Sequence, residues 1–161
     1  MERRLAQIIS VLLHPLLMPA FGMLIMFNSG TYVSLLTFEA KKILLLMIVT
    51  GTFLLPASII PFMIYRKMIT DVSLSVREER FLPMVLTLLF FMLTFFLIYR
   101  LPVNRMIHAY LLAVNISLLL SVLVNTFQKI STHMVGLGGI TGLVLALILL
   151  FGVPMQSCFF L

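Results

Sequence analysis

Long runs of apolar residues alternate with short polar segments along this sequence. Five of the runs are each about as long as the 20 residues that a helix needs to cross a membrane. Strands of a membrane barrel would instead alternate apolar and polar residues over about 10 positions, and these runs do not. The pattern predicts one integral membrane domain, residues 1–161, folded as an all-α, polytopic transmembrane helix bundle. The predicted spans are residues 8–27, 43–65, 82–99, 106–125 and 134–153.

Composition excludes a soluble globular domain. Of the 161 residues, 62% are hydrophobic and 10% are charged, and the mean hydropathy is +1.21. An ordinary soluble domain is about half apolar and a quarter charged. We therefore expect lipid to surround most of the apolar surface. The apolar run that follows Arg3 and Arg4 is too long for a signal peptide, so we expect it to be retained as the first span.

The net charge of +6 comes from eleven Lys and Arg against five Asp and Glu. In a soluble protein such an excess would favour nucleic acid as a partner. Here the basic residues flank the predicted spans, the placement expected for contacts with lipid headgroups, so we expect membrane lipids as partners and no nucleic acid. Counting Lys and Arg in alternate loops favours a cytoplasmic amino terminus.

Polar residues of the second and fourth loops form the candidate site. Two spans separate these loops, so both must emerge on the same face of the membrane. Arg77 and Arg80 are three residues apart, and Lys129 and His133 are four apart with Ser131 between them. Guanidinium, ammonium and hydroxyl groups suit phosphate oxygens, and imidazole exchanges a proton near neutral pH. The sequence therefore predicts a phosphate-ester headgroup as ligand.

Simpler interpretations remain open for each of these residues. Basic residues beside spans often anchor a helix to headgroups, and a histidine at a span boundary often serves packing. We expect His14 and His108, within or next to spans, to be structural hydrogen-bonded groups. Gly138 and Gly142 form a small-residue face that favours close helix contact, including oligomerisation. Metal-ligand spacing is absent, and we expect no metal and no cofactor.

The first half of the candidate site resembles the type 2 phosphatidic acid phosphatase superfamily, in particular its short bacterial members. Members of that family are six-helix membrane proteins whose first motif is Lys, six residues, then Arg-Pro. By resemblance Arg80 stands for the motif's Arg and Arg77 replaces its Lys charge, while Pro83 follows three residues later. The resemblance covers the layout of residues 8–153 and implies a location in the bacterial inner membrane.

The second family motif, Pro-Ser-Gly-His, is similar to the four residues that begin at Ile130. Ser131 and His133 match its phosphate-binding Ser and its general-acid His. The family's third motif supplies a nucleophilic His, and this sequence has no His, Arg or Asp after His133. The resemblance implies a lipid-phosphatase-like bundle without its last helix, either as a shortened form or as a scaffold without hydrolysis.

Two functional hypotheses follow from these observations. The first is a phosphatase-like membrane protein that binds phosphorylated lipid or polyprenyl phosphate headgroups. In it, Arg77, Arg80, Lys129 and Ser131 hold the anion and His133 donates a proton, with little or no turnover. The second is a non-enzymatic bundle that assembles with partners through the face of Gly138 and Gly142.

Overall fold

The computed structural model describes residues 14–66, 77–128 and 130–154, with the side chains of residues 77–80 outside that description. In these parts of the chain every regular element is helical and none is a strand. The predicted all-α bundle is confirmed. The main helices are α1 (Pro15–Asn28), α2 (Phe38–Tyr65), α3 (Arg77–Tyr99), α4 (Arg105–Phe127) and α5 (Thr132–Phe151).

Four helical segments are long and apolar enough to cross a membrane. They are α2, residues Phe81–Tyr99 of α3, α4 and α5, which makes this an integral membrane protein. Helix α1 is shorter in the described residues, and the part of the predicted first span before His14 lies outside them.

The helices extend beyond the predicted spans at several ends. Helix α2 begins at Phe38 rather than at residue 43, because the Thr37 side chain accepts a hydrogen bond from the Ala40 N–H at 3.4 Å and Glu39 lies in the first turn. Both features stabilise a helix amino terminus. Helix α3 likewise begins at Arg77, before the predicted residue 82. Polar residues at these ends are therefore helical.

Proline is accommodated inside α2 by a change of helix type. Pro56 has no N–H to donate to the Thr52 carbonyl one turn earlier. The segment Thr50–Leu54 is a π-helix, and the Leu55 N–H bonds to the Thr50 carbonyl. The effect of the proline is thus a local widening of the helix immediately before Pro56.

Helices α1 to α4 share the main core. Met23, Met26, Ile48, Ile98 and Ile107 come from all four of these helices and are fully buried. The hydroxyl of Tyr110 on α4 also donates to the Pro19 carbonyl of α1 at 3.0 Å. These contacts make α1 to α4 one packed unit.

Helix α5 lies at the edge of this unit. In its most apolar stretch 6% of the residues are buried, against 28% in each of the other three membrane-spanning helices. Leu147 is buried against Ile25 of α1. A Cβ at Gly136 would lie 2.7 Å from the Met18 Cγ, so glycine is what allows α1 and α5 to approach here. These two contacts, Gly136 with Met18 and Leu147 with Ile25, show that α1 and α5 run in the same direction.

Candidate functional site

The helix ends that flank the second and fourth loops lie together. Met63 of α2 and Pro83 of α3 line the same small cavity, and Met84 of α3 packs with Val122 of α4. Helix α2 therefore ends, α3 begins and α4 ends on one side of the bundle. We call this side, marked by Arg66, Arg77 and Phe127, the Arg66 end.

The structure describes the predicted site residues to different extents. Arg77 and Arg80 lie in the first turns of α3, where the backbone alone is described, and Lys129 lies outside the described residues. Ser131 caps α5, since its hydroxyl oxygen accepts a hydrogen bond from the Met134 N–H at 3.5 Å. His133 follows in the first turn of α5.

His133 faces a second histidine that the sequence analysis assigned to a purely structural role. The ring centroids of His14 and His133 are 6.2 Å apart, and the ring planes are nearly perpendicular at 88°. The His14 ring also meets the Phe53 ring of α2 edge to face, with 6.2 Å between centroids. The structure thus brings together an imidazole from the start of α1 and one from the start of α5. We call them the histidine pair.

Local structure fixes the position of His14. Its backbone is extended, and its Nδ1 accepts a hydrogen bond from the Leu16 N–H at 3.3 Å, which caps α1. Pro15 follows as the first helical residue, a position where its missing N–H costs nothing. Because Nδ1 accepts, the proton of the neutral ring is on Nε2.

His108 shows the structural role that the sequence analysis expected of it. Its Nε2 lies 3.3 Å from the Ile98 carbonyl oxygen, and its ring lies 5.2 Å from that of Tyr99. These contacts join the end of α3 to the start of α4, at the opposite end of the bundle from Arg66. We call that opposite side, marked by Arg100, the Arg100 end.

Basic residues at both ends rest on aromatic rings. The Arg66 guanidinium lies 5.5 Å from the centroid of Phe62, and the Arg100 guanidinium lies 4.8 Å from that of Phe96. The Lys41 ammonium lies 5.8 Å from the centroid of Phe27. These geometries support the interpretation of such residues as interfacial anchors, with the stem along apolar surface and the charge at its edge.

The small-residue face of α5 has no neighbour within the described chain. No described atom beyond the helix itself lies within 4 Å of a Cβ placed at Gly138 or Gly142. Gly136, two residues before Gly138 and therefore on the other side of the helix, is the glycine that packs inside the bundle. The predicted face therefore exists, and it points away from α1 to α4.

Groups of three or more potential metal ligands are absent from residues 14–66, 77–128 and 130–154.

Comparisons of the chain with protein-family models, with curated proteins and with solved structures found no match.

The sequence contained one signal for the contact between His14 and His133. Spans one and five are both odd-numbered, so their starts must lie on the same side of the membrane, and each has a histidine in or just before its first half. Hydrophobic periodicity does not show which spans are neighbours. The approach of α1 to α5 depends on Gly136, whose missing side chain leaves room for Met18.

Proposed function

We propose that this chain is an integral membrane protein that binds phosphorylated lipid or polyprenyl phosphate headgroups from the Arg66 end. The observation that carries the proposal is the contact between the His14 and His133 rings, at the starts of two helices that run in the same direction as α3, which begins with Arg77 and Arg80. Hydroxyl, imidazole and guanidinium groups are the donors that suit phosphate oxygens.

In this proposal each residue has a separate role. Arg77, Arg80 and Lys129 attract and hold the anion from the polar edge of the site. Ser131 adds a hydroxyl at the start of α5, where the positive end of the helix dipole also favours an anion. His133 donates a proton to the bound phosphate, as its counterpart does in the phosphatase family that the sequence resembles.

Binding without turnover is the expected activity. Covalent phosphoryl transfer needs a nucleophile in addition to an acid. His14 is the one imidazole near His133 in the described residues, but its Nδ1 already accepts from the Leu16 N–H. We therefore assign the histidine pair to binding and proton exchange.

The test uses the full chain in phosphatidylcholine nanodiscs with added short-chain phosphatidic acid. Calorimetry should show binding that Arg80→Ala weakens about tenfold or more, as expected for a charge-assisted bond of about 1.5–3 kcal/mol. Lys41→Ala is the matched control, because Lys41 lies at the Arg100 end. Equal losses in the two variants would indicate nonspecific electrostatics and contradict the proposal.

Two further arms identify the ligand and the reaction. Inorganic phosphate that competes as well as phosphatidic acid would show that the free anion, not the lipid, is recognised. An assay for released phosphate should give no signal above background. Release that disappears in both His133→Ala and His14→Ala would contradict the binding-only assignment and make the histidine pair catalytic.

The exposed face of α5 favours a second candidate function, assembly with a partner helix. Gly138 and Gly142 leave a flat strip on the helix that packs least against the rest of the chain. Small residues on such a strip allow helix backbones to approach closely in lipid. Cross-linking between copies in nanodiscs should decrease in Gly138→Ile, while Leu145→Ile on another exposed part of α5 should leave it unchanged. Unchanged cross-linking in Gly138→Ile would remove this candidate.

A further inference from the structure

The first loop, which joins α1 to α2, is folded against the bundle at the Arg100 end. It contains one turn of 3-10 helix, Tyr32–Leu35. Val33 is fully buried in the main core, and Leu36 packs against that core. The Ser34 N–H also donates to the Thr31 carbonyl at 2.9 Å. The side chains that this loop exposes are therefore presented by a backbone that is held in place.

The 3-10 turn has three faces of different character, because residues three apart in such a helix lie above one another. Val33 and Leu36 form the face that packs on the core. Tyr32 and Leu35 form a second face and are 75% and 79% exposed. Ser34 lies on the third face. The turn thus shows an apolar face that no described part of the chain covers.

Phe38, three residues after Leu35, extends this apolar surface onto α2. It is the first residue of that helix and is 77% exposed. Phe38, Lys42 and Leu46 are four residues apart and share one exposed side of α2. Since α2 is long and apolar enough to span a membrane, this exposed side faces lipid. We call Tyr32, Leu35 and Phe38 the first-loop edge, and the edge adjoins the lipid-facing side of α2.

The position of Lys42 places the edge at the boundary between acyl chains and headgroups. Lys42 lies one turn after Phe38, about 6 Å along the axis. A lysine on a lipid-facing side extends its ammonium outward to the headgroups, so this group reaches the level of Phe38. Tyrosine is enriched at the same boundary. Tyr99, 60% exposed, ends α3 at the same end of the bundle.

The charges near the edge favour an anionic surface. Among the described residues at the Arg100 end, Lys41, Lys42, Arg100 and Arg105 are basic and Glu39 is acidic. Basic residues beside an exposed apolar face are typical of segments that bind the interface of anionic membranes.

Lipid is also the occupant that can cover the edge and the adjoining side of α2 as one continuous surface. We propose that the first-loop edge inserts into the membrane interface and that Lys41 and Lys42 bind the headgroups of anionic phospholipids beside it. This site lies at the Arg100 end and does not depend on headgroup binding at the Arg66 end.

The first test measures the depth of the edge with a single fluorescent residue. The chain contains no tryptophan, so Leu35→Trp in the full chain gives one emitter in nanodiscs of phosphatidylcholine and phosphatidylglycerol. Lipids brominated near the headgroup end of the acyl chain should quench it more than lipids brominated near the terminal methyl. In Leu46→Trp the order should be reversed, because Leu46 lies about 12 Å deeper than Phe38 along α2.

Ser34→Trp is the matched control within the same turn. Position 34 lies on a different face, so aqueous acrylamide should quench this variant more than brominated lipid does. Equal lipid quenching at positions 34 and 35 would show that the indole alone sets the depth and would overturn the proposal. In Leu35→Trp, a blue-shifted emission without lipid quenching would indicate a protein partner or a second copy, and quenching by acrylamide alone would indicate water. Both results would overturn it as well.

The second test measures the preference for anionic lipid. Dilute brominated phosphatidylglycerol should quench Leu35→Trp more than equally dilute brominated phosphatidylcholine, with an enrichment of up to about fivefold for each lysine. Adding Lys41→Gln with Lys42→Gln should abolish this preference. Arg66→Gln, a change of one charge at the opposite end, should keep it. Equal quenching by the two lipids, or a preference that persists without the two lysines, would contradict the assigned headgroup contacts.

Discussion

Helices α1 to α4 and helix α5 are built from the same kinds of apolar residue but are held in different ways. The first four surround a core of fully buried side chains, while α5 packs against them through buried Leu147, through Gly136 and through partly buried residues such as Leu143. Ser131, His133 and the face of Gly138 and Gly142 all lie at or on α5. Part of the candidate chemistry therefore lies on the helix that is buried least, whereas most of the buried core belongs to the other four.

The largest expected effect distinguishes the core from α5. Ile107→Ala should lower the free energy of unfolding by about 2–5 kcal/mol, because Ile107 is fully buried and the change leaves a cavity. Leu147→Ala is the matched change on α5. It should reduce hydrogen-exchange protection within α5 and leave α1 to α4 protected. Loss of protection across all helices in Leu147→Ala would show that α5 is part of the same cooperative unit.

A smaller effect compares two glycines with opposite surroundings. A Cβ at Gly51 would overlap the Thr94 hydroxyl, where α2 meets α3, so Gly51→Ala should cost about 1–3 kcal/mol through overpacking. Gly138 faces open space, so Gly138→Ala should stabilise α5 by up to about 1 kcal/mol through helix propensity. Unfolding in mixed micelles measures both changes. Equal costs would contradict the contrast between packed and unpartnered faces.

The smallest effect concerns the bond between α1 and α4. Tyr110→Phe removes the hydroxyl that donates to the Pro19 carbonyl and should cost about 0.5–1.5 kcal/mol. Tyr32→Phe is the control, because Tyr32 is 75% exposed, and it should leave the unfolding free energy unchanged. A larger loss in Tyr32→Phe than in Tyr110→Phe would contradict the described packing of α1.

The sequence was sufficient to predict the helices, because continuous apolar runs of membrane length allow few other structures. The predicted second span began at residue 43, so it left out Lys41 and Lys42, whereas α2 begins at Phe38. A helix can continue past the apolar layer when a residue such as Thr37 caps it. Span length alone also does not predict the π-helical segment before Pro56.

The sequence predicted only those features of the candidate site that follow from the alternating direction of successive spans. The even number of spans between the second and fourth loops places α3's start and α4's end together, and the contact of Met84 with Val122 agrees. The proximity of His14 to His133 depends instead on which helices are neighbours. That choice rests on the fit of Met18 against Gly136, which no periodicity encodes.

Cross-linking of positions 14 and 133 tests the central claim, that the starts of α1 and α5 form one site, most directly. In a Cys158→Ser background, His14→Cys with His133→Cys should be joined rapidly by a short bifunctional thiol reagent in nanodiscs, because the two rings lie 6.2 Å apart. The control pair, His108→Cys with His133→Cys, spans opposite ends of the bundle and should stay unlinked. Failure of the first pair to cross-link, or equal linking of both pairs, would contradict the account.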